Sequence, residues 1–244
     1  MWRILRKVTN LSKRKLFKSE YIHILFLVIK EILIMEKQYK KGTTTVGIIC
    51  KDGVILAADQ LASLGDFQFN KDAKKVFKIA NNLAMTTAGT VGDNQAILRL
   101  IKAQMRLYEL DIGQPTVKSA VTLLSNILSD KYLYSYLPYG LFDLIGGYDT
   151  KPRLFSIDPV GGLGDEKKFA ATGSGMVVAY GILDANYKSG INMVEGVKLS
   201  VNAIVAARKR VSSVGGDNIT VFKISAKGVE EVSAEDVLNI AKAY

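Results

Sequence analysis

Apolar residues in this 244-residue chain come in two rhythms, and the order in which those rhythms alternate constrains the fold more than any single motif. Short β-branched and apolar runs come in pairs: Thr43–Cys50 with Val54–Ala58, Val76–Ile79 with Leu83–Ala88, and Leu141–Tyr148 with Arg153–Ile157. The residues between them are turn formers, Lys51-Asp52-Gly53, Asn81-Asn82 and Asp149-Thr150-Lys151, so each pair reads as a hairpin. Gly53 is expected where the first turn needs a positive φ. Helical spacing takes over in between. Ile97, Ile101, Met105 and Tyr108 mark one helix, and Val117, Val121, Leu124 and Leu128 a second that begins near Pro115 or Thr116. Two further helices are predicted over about 175–186 and 193–210, followed by a strand at Asn218–Ile224 and a short helix at Ala234–Ala243. Hairpins followed by helix pairs, twice over, suit two sheets that each bury one face under helices, an α+β arrangement rather than a single parallel sheet.

The net charge of +10 invites a nucleic-acid partner, but its distribution argues against one. Residues 1–42 hold eleven of the 33 Lys and Arg and three of the 23 Asp and Glu, leaving 22 basic against 20 acidic residues, or +2, for the rest. A body that balanced has no general hold on phosphates. The apolar stretch Tyr21–Met35 is broken by Lys30 and Glu31 and falls short of a membrane span. No small-residue cleavage site follows it, so a secretory signal is the weaker reading. The expectation is a cytoplasmic protein with neither nucleic acid nor membrane as a partner.

Only one histidine is present, His23, and it precedes the body. Ser-His-Asp and Cys-His hydrolysis therefore cannot run between Thr43 and Tyr244, and most zinc sites lack their ligands. A hydrolase of this composition must use a carboxylate, a lysine or a free amine as its base. No metal or cofactor is expected. The single cysteine, Cys50, ends an apolar run and reads as a buried strand residue rather than a reactive thiol.

The segment KGTTTVGIICKDGVILAAD, Lys41–Asp59, resembles the start of proteasome β subunits of the archaeal type. The resemblance continues in order through DAKKVFKI, TTAGTVGD, LIGGYDT, FSID and ATGSG, from Gly42 to about Ser225. Each motif alone is weak; their order and spacing make the set specific. The resemblance implies the four-layer αββα sandwich of the N-terminal nucleophile hydrolases. It implies a threonine peptidase cut between Gly42 and Thr43, with residues 1–42 a leader or propeptide and 43–244 the β-type domain. Met35 opens MEKQYKKG directly before Thr43, and the translated precursor is expected to begin there, with 1–34 outside it.

On this resemblance Thr43 is the nucleophile and, once freed, its α-amine is the base, with an ordinary pKa near 7.7–8.0. Asp59 and Lys75 match the family's carboxylate and lysine, with Lys75 placing positive charge beside the hydroxyl. Gly89 matches the glycine whose N–H faces the oxyanion. Ser174 matches a serine that hydrogen-bonds near the threonine amine; read without the resemblance it is a helix N-cap. Ala62, Ala73 and Thr87 match the walls of the side-chain pocket and imply an uncharged one. The expected partners are α subunits and other β subunits in stacked seven-membered rings, an ATP-dependent unfoldase cap, and unfolded proteins as substrates.

Two departures open a second reading. The family carries Arg-Asp-x-x-Ser/Thr-Gly before its last core strand, whereas this chain reads Arg210-Val211-Ser212-Ser213-Val214-Gly215. Val211 and Val214 fall at the aspartate and serine positions, and Ser212 or Ser213 is expected to substitute only if the loop shifts. Leu61 also replaces an arginine frequent after Asp59. The chain is thus either a threonine peptidase, weakened or not, or a silent β subunit filling ring positions beside an active paralogue.

Overall fold

β2 (Gly53–Asp59) sends Val54, Leu56 and Ala58 to one face and Ile55 and Ala57 to the other, and all five are fully buried. A strand buried on both faces needs a covering layer on each side. The computed structural model describes residues 42–64 and 67–244, so every expectation for residues 1–41, including the start at Met35, lies outside the described residues.

The first sheet runs β10-β1-β2-β11-β12, from β1 (Thr45–Cys50), β2, β10 (Phe169–Thr172), β11 (Ile219–Ser225) and β12 (Gly228–Glu231), with every pair antiparallel. The second takes β5 (Val76–Ala80), β6 (Leu83–Thr86), β7 (Asp143–Tyr148), β8 (Pro152–Ile157) and β9 (Leu163–Glu166) in chain order, again antiparallel. β3 (Ala62–Leu64) and β4 (Phe67–Asn70) form a separate hairpin.

Helices cover both outer faces. α1 (Val91–Asp111) and α2 (Val117–Ser135) lay Ile97, Ile101, Val121 and Leu124 over Met85 and Ile145 of the second sheet. α3 (Met176–Asn186), α4 (Met193–Arg210) and α5 (Ala234–Lys242) cover the first, with Leu183, Val201, Ile204 and Val237 against Val46, Ile48 and Val221. Between the sheets Val54, Leu56, Leu144, Leu154 and Phe222 interdigitate. The result is the expected four-layer αββα order. Each such side chain contributes roughly 1.5–3 kcal/mol by leaving water, and a charge at Leu56 would be stranded between two sheets. Among the described residues no helix is long and apolar enough to cross a membrane.

One local expectation fails. Gly53 has no positive φ; it pairs with Cys50 as the first residue of β2. Glycine is needed there for space, because a Cβ would lie 2.3 Å from the Ile224 carbonyl oxygen of the neighbouring strand.

The topology gathers the implied site at one end of the sandwich. Thr45 pairs with both Ala58 and Thr172, so residue 43 emerges beside the end of β2, where Asp59 sits, and beside the end of β10, two residues before Ser174. In the second sheet Val76 pairs with Thr86, which sets Lys75 and the Thr87–Gly89 segment side by side. Beneath this end, buried threonines link the sheets: Thr45 and Thr172 hydroxyls lie 2.7 Å apart, and the Thr86 hydroxyl donates to Thr45 at 3.4 Å.

Candidate active site

Asp59 organises the site. Its carboxylate is fully buried and accepts four hydrogen bonds: from Thr44 N–H (2.8 Å) and Lys75 Nζ (2.9 Å) on Oδ1, and from Gly215 N–H (3.0 Å) and Leu61 N–H (3.3 Å) on Oδ2. A buried carboxylate without such partners would be strongly unfavourable. With them it ties the N-terminal end of β1, the turn after β2 and the loop before β11 to one point.

Lys75 is 6% exposed, and its three ammonium donors meet three acceptors: Asp59 Oδ1, the Leu61 carbonyl at 2.7 Å and the Gly42 carbonyl at 3.3 Å. Burial pulls its pKa down; the Asp59 charge and hydrogen bond oppose that, and the Arg208 charge adds to the lowering. An amine that donates three times has no lone pair to offer, so in this geometry Lys75 acts as a cation and not as a base.

Thr43 is also buried. Its Oγ1 donates to the Gly42 carbonyl oxygen at 2.6 Å, the oxygen that Lys75 also contacts. Two donors thus converge on the carbonyl of the Gly42–Thr43 peptide bond, which polarises it toward attack. Gly42 fits because it has no side chain: a Cβ there would lie 1.7 Å from the Ser213 carbonyl oxygen. Its N–H donates to Ser63 Oγ at 3.1 Å.

The opposite flank is hydroxyl-lined. Ser174 does not cap α3, whose N-cap is Gly175 with no side-chain bond. Instead Ser174 Oγ accepts from Thr43 N–H and donates to the Thr43 carbonyl, each at 3.3 Å, and lies 3.2 Å from Ser213 Oγ. Of the two loop serines it is Ser213 that reaches Ser174, while Ser212 is exposed. Val211 caps α4 through its backbone, and Val214 is buried. Neither offers Thr43 a polar group.

Gly89, Ala62, Ala73 and Thr87 line one cavity of about 400 Å³ together with Gly42, Thr43 and Lys75. Phe69, Phe77, Val91 and Leu98 add apolar wall. The expected lack of charge needs correcting: Asp72 and Lys74 also line it, both exposed, with Lys74 paired to Glu231 at 3.0 Å. They enter because the β3–β4 hairpin, unforeseen in the sequence, turns the chain along the cavity.

Sequence reasoning missed the Leu61 carbonyl, the Gly215 N–H and Ser63. The first two are backbone groups, which carry no residue signature. Cys50 lies apart from the site, buried under α4, and its thiol pKa is pushed up to about 12, by burial first and then by Asp52 and Glu195.

Comparison with known proteins gives one answer. A family model described as proteasome subunit matches residues 39–224. The chain is 45% identical over 209 residues to a protein named proteasome subunit beta from Methanococcus vannielii, covering 84% of this chain and 94% of the relative. Its identity to a proteasome subunit beta from Ferroglobus placidus is 47% over 199 residues, 81% and 93% of the two chains. With a proteasome subunit beta 1 from Thermococcus onnurineus it is 46% over 204 residues, 83% and 98%.

Proposed function

The chain belongs to the proteasome subunit family, and from that premise we propose that it is a β subunit of the core particle acting as a threonine endopeptidase on unfolded proteins. The observation that carries this reading is the convergence of Thr43 Oγ1 and Lys75 Nζ on the carbonyl of Gly42.

Maturation starts when Thr43 Oγ1 attacks the Gly42 carbonyl carbon. The C–O bond forms, the Gly42–Thr43 C–N bond breaks, and the hydroxyl proton passes to the leaving nitrogen. The Lys75 ammonium stabilises the oxyanion in between. Water then hydrolyses the ester, releasing the Gly42 carboxylate and regenerating the Thr43 hydroxyl beside the α-amine that the broken C–N bond set free. That amine serves the second reaction. It takes the Oγ1 proton, directly or through water, as Oγ1 attacks a substrate carbonyl, and returns the proton to the leaving amine. Gly89 N–H faces the substrate oxyanion, Asp59 keeps Lys75 charged and oriented, and Ser174 holds the Thr43 amine. Residues 43–244 are the working domain and what precedes Thr43 is removed. The subunit works in seven-membered β rings stacked on rings of α subunits in the cytoplasm, with an ATP-dependent unfoldase feeding it.

A second reading keeps the assembly and drops the catalysis: a structural β subunit beside an active paralogue. Val211 and Val214, which leave the amine without a carboxylate, favour it. Intact mass and fluorogenic peptide hydrolysis of assembled particles decide between the two. Wild type is expected to begin at Thr43 and to hydrolyse peptide; Thr43→Ala is expected to retain residue 42 and to hydrolyse nothing through this subunit. Wild-type subunits that keep Gly42 and stay silent would leave the structural reading standing.

A further inference from the structure

We infer that Asp143 is a positioning residue that aims the Gly89 N–H at the oxyanion by holding the backbone of Ala88. The inference rests on the peptidase reading above, in which Gly89 is the oxyanion donor.

β6 and β7 pair Met85 with Ile145, and farther along in the same register Gly89 bridges Leu141. Between those points β6 and β7 are not paired, over residues 86–88 and 142–144. Two side chains span the gap. Thr86 Oγ1 accepts from Leu144 N–H, and Asp143 Oδ1 accepts from Ala88 N–H, both at 2.9 Å. Beyond the gap Phe142 N–H donates to the Ala88 carbonyl and Thr90 N–H to the Gly140 carbonyl. Those two bonds flank the Gly89–Leu141 pair, which makes it a non-hydrogen-bonded pair, so the N–H of Gly89 points away from that strand. Gly89 also lines the cavity that holds Thr43.

The direction of that N–H is set by the peptide between Ala88 and Gly89. Gly89 has φ +115°, a conformation glycine adopts freely and other residues rarely. The Phe142 bond to the Ala88 carbonyl holds one end of that peptide plane, and catalysis by a dipole requires that the plane be fixed on both sides before charge develops. Thr87 N–H is secured by the Lys75 carbonyl at 2.8 Å. Ala88 N–H, the last amide before the donor, is secured by Asp143 alone among the described side chains.

Nothing else in the proposed mechanism uses this carboxyl. It is fully buried, and its Oδ2 has no partner among the described residues. Burial pushes its pKa up to about 8, the Ala88 bond opposing, so near neutrality it is mostly a neutral acid and asparagine is its nearest mimic.

The test compares Asp143→Asn, which keeps the acceptor oxygen, with Asp143→Ala, which removes it. Assembled particles are assayed for steady-state peptide hydrolysis and for backbone amide exchange over residues 86–90. Asp143→Ala is expected to lower kcat by about 10²-fold with KM within about twofold, the pattern of a lost transition-state contact. Exchange at Ala88 and Gly89 is expected to speed up in that variant. Asp143→Asn is expected to stay within about threefold of wild type in kcat and to keep wild-type exchange. Equal losses in both variants, an unchanged kcat in Asp143→Ala, or unchanged exchange at Ala88 and Gly89 would overturn the inference. Should wild type hydrolyse nothing, the peptidase reading falls, while the exchange comparison still decides whether Asp143 holds this segment. If Asp143→Ala does not assemble, Asp143→Leu, which fills the space without an acceptor, replaces it. If neither assembles while Asp143→Asn does, the residue serves folding and the inference is overturned.

Discussion

Thr43 has two unlike flanks. On one, Asp59 and Lys75 form a buried pair at 2.9 Å whose donors and acceptors meet five further backbone groups: the N–H of Thr44, Leu61 and Gly215 and the carbonyls of Leu61 and Gly42. On the other, Ser174 and Ser213 make neutral contacts of 3.2–3.3 Å, and the side chains of Val211 and Val214 offer nothing polar. Charge-assisted bonds in a buried setting are about twice as strong as neutral ones. The Gly42 carbonyl, to which the Thr43 hydroxyl donates, is thus firmly supported and the Thr43 nitrogen weakly so. In the proposed mechanism self-cleavage draws mainly on Lys75 and the Gly42 carbonyl, and so on the strong flank, whereas turnover needs the freed amine as a base, and so the weak one.

Removing the strong flank is expected to have the largest effect. Lys75→Ala takes the cation from the scissile carbonyl, and the single-turnover rate of Gly42–Thr43 cleavage should fall by about 10³-fold or more. It also strands Asp59, so circular dichroism and particle assembly must accompany the rate. Cleavage at the wild-type rate would show the ammonium to be a structural counter-ion and would erase the contrast between the flanks.

Strengthening the weak flank comes next. Val211→Asp with Val214→Ser should raise kcat for a fluorogenic peptide by up to about 10²–10³-fold, the range of one positioned hydrogen bond in such a site. A buried, unpaired aspartate has a cost of several kcal/mol, so the double variant is judged only in assembled particles. Assembled particles with no gain would mean that the amine needs no carboxylate here. The smallest effect is expected from Ser213→Ala. It deletes one neutral hydrogen bond to Ser174, worth about 1 kcal/mol, and should lower kcat by about fivefold while leaving self-cleavage unchanged. Equal losses in both reactions would sharpen the picture differently, by joining Ser213 to the machinery of both steps.

The sequence disclosed one flank better than the other, for physical reasons. Core strands such as Val54–Ala58 are short unbroken apolar runs, and helices such as Met193–Arg210 carry their burial in a regular period, so both are readable at once. β4, with all four residues exposed, and β9 and β12, in which no residue is fully buried, carry no apolar signal, being rim strands. Lys75 and Asp59 were found through the family's motifs, yet half of what fixes them is backbone, the Leu61 carbonyl and the Gly215 N–H, which any residue could supply. Ser213 could not be ranked against Ser212 from the sequence, because one residue of loop path decides which of them meets Ser174. Asp143 read simply as part of the strand Leu141–Tyr148. Its role arises where β6 and β7 part, and no periodicity marks an opening that preserves register.

The position of Cys50 has a practical consequence. It is the only cysteine in the chain, it lies under α4, and its thiol stays protonated well above neutral pH. Alkylating and maleimide reagents act on exposed thiolates, so the native subunit offers them almost nothing. A cysteine introduced on the exposed faces of α1 or α2 would then be the sole target for a fluorophore or spin label. Distances inside an assembled particle could be read from an otherwise unmodified subunit, without first engineering the natural thiol away.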